Sequence, residues 1–137
     1  MDIEYTKDMD TINEDMLGGG FFVGWPNPPD VATHMRLLRG SYLTYVAIDT
    51  MTGKVVGFVN AASDGVLSAY IPLLEVLPDY QGRGIGSALV KYILADLDGL
   101  YMIDIVCDKN VQPFYAKFGG MNWTASIFRN HNAQNGR

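Results

Sequence analysis

Apolar positions recur along this chain with two different periods. Residues 42–48 and 54–61 are dominated by β-branched and aromatic side chains, and the Asp49-Thr-Met-Thr-Gly53 between them has hairpin chemistry. A second turn at Ser63-Asp64-Gly65 leads into a further strand-like run over 66–76. Three antiparallel strands in succession are therefore expected at the centre of a sheet. From Ile85 the period changes. Ile85, Ala88, Leu89, Tyr92, Ile93 and Leu97 follow the i, i+3, i+4, i+7 spacing of an amphipathic helix that stops at Gly99. Residues 100–106 are almost continuously apolar, the pattern of a buried strand, and 111–118 read as a short helix ended by Gly119-Gly120.

The first forty residues are less regular. A short strand is expected at 3–6 and a short helix at 10–17, stopped by Gly18-Gly19-Gly20. Residues 18–29 hold glycines, prolines and the rings of Phe21, Phe22 and Trp25, which predicts an irregular segment held by ring packing. Asp30 is a good N-cap for a helix that shows Val31, Met35 and Leu38 on one face and ends at Gly40. His34 falls inside that helix and reads as a packed residue rather than a catalytic one. The order strand, turn, helix, strand makes 66–76 and 100–106 parallel neighbours joined by a crossover helix. One domain over 1–130 is expected, followed by a polar tail, 131–137, that frays.

Composition narrows the function classes. With 137 residues and 48% hydrophobic content, the chain is long and apolar enough to bury a core. Its formal charge of −5 and scattered basic residues argue against a general nucleic-acid binder. A lone cysteine, Cys107, excludes an internal disulfide and suits a reducing compartment, and two histidines give no zinc-ligand spacing. Asp2 and Glu4 follow Met1 directly and no run of 18 apolar residues occurs, so the expectation is a cytoplasmic protein with neither signal peptide nor membrane span.

The chemistry-bearing segment is Leu74-Glu-Val-Leu-Pro-Asp-Tyr-Gln-Gly-Arg-Gly-Ile-Gly86, where a strand enters a glycine-rich turn and an amphipathic helix leaves it. Such a turn aims unpaired N–H groups and the positive end of a helix at one point, a site for phosphate. The spacing excludes a Walker loop, and Ser87 stands where a dinucleotide fingerprint needs its third glycine. What remains, Gln81-x-x-Gly84-x-Gly86 after Val76-x-Pro78, resembles the acetyl-CoA signature of GNAT N-acetyltransferases. Pro113-Phe-Tyr-Ala-Lys-Phe-Gly119 is similar to that family's second motif.

The resemblance implies a GNAT fold: a mixed α/β sandwich with a mostly antiparallel sheet splayed between two parallel strands and helices on both faces. It implies acetyl-CoA as co-substrate, with Gln81, Gly82, Arg83, Gly84, Ile85, Gly86 and Ser87 at the phosphates and Leu74 and Val76 along the pantetheine. Asn110 and Phe114 join that set, Asn110 as N-cap of the following helix in place of the asparagine usual where Asp108 stands. Tyr115 matches the tyrosine that protonates the departing thiolate. A lysine-like acceptor must lose a proton, which at neutral pH costs roughly 4.6 kcal/mol. Tyr70 is the expected base, because simple alternation puts it on the face of Leu74 and Val76. Glu75 alternates to the opposite face unless a bulge intervenes, and Asp64 has ordinary turn chemistry. Phe21, Phe22 and Trp25 map to the acceptor pocket. The implied activity is acetyl transfer to a primary amine of a small molecule, amino acid or peptide; the competing reading is a CoA-binding sensor or interaction module. An edge strand near Ala125 to Phe128 offers a route to a homodimer.

Overall fold

Alternation along the strands sorts apolar side chains onto two faces of one sheet in the computed structural model, which describes residues 2–137. The sheet has five strands in sequence order: β1 (Ile3–Thr6), β2 (Leu43–Asp49), β3 (Lys54–Ser63), β4 (Ser68–Val76) and β5 (Met102–Asp104). The first four are antiparallel neighbours, and β5 pairs with β4 in parallel. One face packs on α3 (Ile85–Asp96), where Tyr45, Ala47, Val56, Val59 and Ile71 meet Ile85, Leu89, Ile93 and Leu97. The other packs on α1 (Glu14–Leu17) and α2 (Val31–Gly40), where Val46, Val55 and Phe58 meet Leu17, Phe22, Met35 and Leu38. A short α4 (Gln112–Ala116) follows β5. This is the mixed α/β architecture that the motifs imply. No described helix is long and apolar enough to cross a membrane.

Local chemistry explains the joints. Asp30 caps α2 by accepting from Thr33 N at 2.8 Å. Tyr45 on β2 donates to Asp96 at the end of α3, 2.6 Å, and Lys7, just past β1, reaches the same carboxylate at 2.9 Å, so β2, α3 and the segment leaving β1 are pinned at one point. Gly57 is needed for close packing: a Cβ there would lie 3.2 Å from both the Glu75 carbonyl and Leu89 Cδ1.

Several expected elements differ. The N-terminal helix is split into a 3-10 turn at Met9–Thr11 and α1, because Asn13 takes the N-cap role by accepting from Met16 N. Only three residues of 100–106 pair as β5, and the run is not buried: β5 is the edge strand of the sheet and Tyr101 is 85% exposed. Asn110 is not an N-cap. It sits exposed inside a 3-10 turn, Lys109–Val111, that leads straight into α4. The tail does not simply fray: Gln134 accepts from Asn27 N at 2.7 Å, and Arg137 pairs with Asp30. Residues 121–130 form no strand.

Candidate active site

The site is built where β4 and β5 part. Their pairing covers only Ser68 to Tyr70 on β4, and from Ile71 onward that edge of β4 has no strand beside it. The register with β3 also slips here. Asn60 faces Leu73 while Ala62 faces Tyr70, so β4 carries one extra residue around Pro72. A proline cannot donate to a ladder, which makes Pro72 the natural place for the bulge. The slip inverts the facing of everything before it. Ala69 and Ile71 share the α3 side with Leu74 and Val76, and Leu73 packs on the α2 side. Glu75 stands opposite Phe58, a residue of the α2-side core. Tyr70 therefore lies on the face of Leu73 and Glu75, not on that of Leu74 and Val76 as uninterrupted alternation predicts.

On the α3 side, the glycine turn joins β4 to the helix. Gly82 and Gly84 have φ of +75° and +84°, and a Cβ at Gly84 would meet nothing within 4 Å. Glycine is thus demanded there by backbone conformation, and the space above it is open to a ligand. The first helical bond of α3 runs from Ala88 N to Gly84 O, which leaves the N–H groups of Ile85, Gly86 and Ser87 without an acceptor in the helix. Only the backbone of Ile85 is available, since its side chain is core. The Gln81 side chain ties the turn to the strand end: its Nε2 donates to Val76 O at 3.0 Å. Tyr80 secures the turn from below, donating to Asp49 at 2.7 Å with the Arg83 guanidinium over its ring. The hydrogen bond from Tyr80 holds the Asp49 carboxyl below its ordinary range.

Across the gap, α4 supplies Phe114 and Tyr115. Phe114 Cζ and Val76 Cγ2 lie 3.8 and 3.7 Å from where a Cβ on Gly86 would stand, so the two motifs distant in sequence meet at the N-terminus of α3. Tyr115 packs edge-on against Phe114, with ring centroids 5.0 Å apart, and is half-buried. Burial, with a smaller contribution from nearby Cys107, pushes its phenol above the ordinary value, so it holds its proton at neutral pH.

On the α2 side a cavity of about 350 Å³ is lined by Phe22, Trp25, Pro29, Thr33, Leu37 and Leu73, with Arg36 and the tail residues Gln134 and Gly136 at its wall. Phe22 and Trp25 are where the sequence puts the acceptor pocket. Phe21 does not line this cavity; its ring, like that of Phe22, packs on His34 and Phe58. Phe22 adopts φ +60°, a conformation that costs a side-chain-bearing residue about 1–3 kcal/mol. Its N–H is held by Glu75 Oε1 at 2.7 Å, which fixes that geometry. The second Glu75 oxygen, Oε2, is buried without a partner, and burial raises the carboxyl's pKa against the lowering effect of the Phe22 bond. Glu75 is the functional candidate that alternation passes over; the signal was Pro72 inside a strand. Asp64 is occupied in its turn, accepting from the N–H groups of Val66, Leu67 and Ser68.

The arrangement is two-sided. The free N–H groups at the start of α3 and the unpaired β4 edge lie on one side, and a mostly apolar cavity, with Leu73 of β4 in its wall, lies on the α2 side. Comparison with known proteins identifies the family. The sequence pattern of the Acetyltransferase (GNAT) family matches residues 11–120. A crystal structure of a putative acetyltransferase from Deinococcus radiodurans is 41% identical, with a TM-score of 0.93 over 98% of this chain and 92% of that one. A GNAT family acetyltransferase from Streptococcus pneumoniae is 31% identical, with a TM-score of 0.73 over 93% of this chain and 98% of that one. The chloroplastic serotonin N-acetyltransferase 2 of rice is 36% identical over 101 residues, 71% of this chain and 50% of the relative. The chain spans about half the length of the curated relatives it matches.

Proposed function

The chain belongs to the GNAT acetyltransferase family, and from that premise we propose that it moves the acetyl group of acetyl-CoA to a primary amine of a small molecule, amino acid or peptide, by direct attack in a ternary complex. The observation that carries this reading is the free edge of β4 from Ile71 onward, which runs to the glycine turn and has the apolar cavity on the other face of the sheet. A cosubstrate entering from the α3 side and an acceptor entering from the α2 side would meet where β4 loses its neighbour.

In this reading the N–H groups of Gly82 to Ser87 bind the pyrophosphate, as a helix N-terminus does for anions generally. The backbone of Leu74 and Val76 pairs with the pantetheine, and the Phe114 ring walls the channel. A β4 N–H near Val76 polarises the thioester carbonyl in a water-poor cleft. The acceptor, lying between Phe22, Trp25 and Leu73, surrenders a proton toward the α2 face, where Glu75 and Tyr70 stand on one side of β4. Glu75 is the stronger base candidate, because its buried, unpartnered oxygen is an acceptor only and a phenol holds its proton at neutral pH. Tyr115 returns a proton to the departing thiolate. The apolar lining favours an amine with an apolar or aromatic body, a class to which the rice relative's named acceptor, serotonin, belongs.

The test is thiol release from acetyl-CoA over a panel of arylalkyl amines, amino acids and short peptides, with calorimetric binding of CoA to the same protein. Acceptor-dependent release, fastest for amines with an apolar body, is the expected result. Tight CoA binding with no release for any acceptor would replace the transfer reading by that of a CoA-binding module.

A further inference from the structure

The cavity on the α2 side is mostly apolar, walled by Phe22, Trp25, Leu37 and Leu73, but α2 also brings Thr33 and Arg36 to it. These two stand three residues apart, hence on the same face of the helix. Among the described residues that line the cavity, Arg36 is the one charged group. Neither its guanidinium nor the hydroxyl of the otherwise buried Thr33 has a hydrogen-bond or ion-pair partner among the described residues.

The neighbouring acids are occupied elsewhere. Asp30 accepts from Thr33 N and pairs with Arg137, and Glu75 holds Phe22 N. Glu14 lines the adjoining concavity together with Arg36 and Arg39 but forms an ion pair with neither. Residues 31–48 contain those two arginines and no acidic residue, in a chain whose formal charge is −5. This face is therefore locally positive on a negative molecule, and it draws an anion.

A guanidinium presents a planar fork that matches a carboxylate with two parallel bonds, and the hydroxyl one turn away adds a third donor. Apolar walls beside such a contact strengthen it by thinning the water around it. At about 350 Å³ the cavity lies at the small end of ligand sites, suited to one small molecule. We propose that Thr33 and Arg36 bind the carboxylate of the acetyl acceptor, which makes that acceptor a free amino acid with an apolar side chain. The inference rests on this cavity being the acceptor site of the transfer described above, and it narrows the acceptor class. Arylalkyl amines lack the anion, and in a peptide the carboxyl next to the reacting amine is an amide.

Phenylalanine, tryptophan and leucine, each paired with its own amide, share body and amine and differ in the carboxylate. Calorimetric titration of all six into the full chain, alone and saturated with CoA, reads the contact without any transfer. At least one amino acid is expected to bind at least tenfold more tightly than its amide. Arg36→Ala should remove at least tenfold of that amino acid's affinity and less than threefold of the amide's, with circular dichroism unchanged; Thr33→Val, which keeps the shape, should remove about threefold. A readout that needs no variant is salt: raising ionic strength from about 0.02 to about 0.5 M should weaken the amino acid more than the amide, because screening acts on the ion pair. Thiol release from acetyl-CoA with the same six compounds separates this inference from the transfer itself. The order of kcat/KM should follow the order of binding, although the amine of each amide is the easier to deprotonate. Equal affinities within every pair, no binding by any of the three amino acids, or a preference that survives Arg36→Ala would overturn the carboxylate site, and thiol release seen alongside would leave the transfer standing. Arg36-dependent binding of an amino acid with no thiol release would uphold the site and refute the transfer.

Discussion

Glu75 is subject to two opposing influences. Burial disfavours its charged form, the Phe22 N–H favours it, and burial is the larger of the two. A base must be ionised to accept a proton, so a raised carboxyl moves the acidic limb of the rate profile up from the ordinary glutamate range toward neutrality. Glu75→Gln separates this role from a structural one. The amide oxygen keeps the bond from Phe22 N, so the loop and the cavity stay in place while the base is lost. Turnover is expected to fall about a hundredfold or more, with the Michaelis constant of the amine changed little and the acidic limb abolished. An unchanged limb in the pH dependence of kcat/KM would remove Glu75 from the chemistry and leave Tyr70 as the candidate on that face.

At the level of elements, the glycine turn and α3 were legible because their signals are local. Gly84 must adopt a left-handed conformation, and the helical period starts one residue later. The meeting of Phe114 with Gly86 came from a motif rather than from periodicity, which puts α4 on a helix but not beside α3. Facing along β4 was misread because period-2 alternation propagates a phase, and one bulge at Pro72 inverts it for every residue on the far side. The apolar run at 100–106 was misread for another reason: a continuous apolar run marks a buried strand only where both faces are covered, and β5 is a three-residue strand at the sheet edge with Tyr101 and Met102 exposed. Gly84→Ala tests the turn alone. Strain at φ +84° is expected to cost about 1–2 kcal/mol in urea unfolding, and displaced N–H groups should weaken acetyl-CoA binding at least tenfold by calorimetry. Undiminished affinity in a folded variant would contradict the phosphate role.

At the scale of the whole molecule, stability and pH are linked through His34. It is 3% exposed, ringed edge-on by Phe21, Phe22 and Phe58, and its Nε2 has no partner. Burial pulls its pKa down to about 4, against about 6.5 in an unfolded chain. Between those values the unfolded chain binds a proton that the folded one refuses. Its contribution is therefore complete above about pH 6.5 and declines as pH falls, levelling off near pH 4. From pH 7 to pH 5 the loss is about 2 kcal/mol, an order-of-magnitude figure. Glu75 acts with the opposite sign: its raised carboxyl contributes most at pH below the ordinary glutamate value, and that contribution declines as pH rises through its folded pKa. The two effects overlap above the ordinary glutamate range, so His34 is best isolated in a Glu75→Gln background. Replacing His34 with leucine there keeps the volume, fits the aromatic surroundings and removes the titrating ring. Urea unfolding at pH 5 and 7 should show the parent losing about 2 kcal/mol on acidification and the leucine variant losing almost none. Equal losses in both proteins would mean that His34 is not the group that sets the acid limit of the fold.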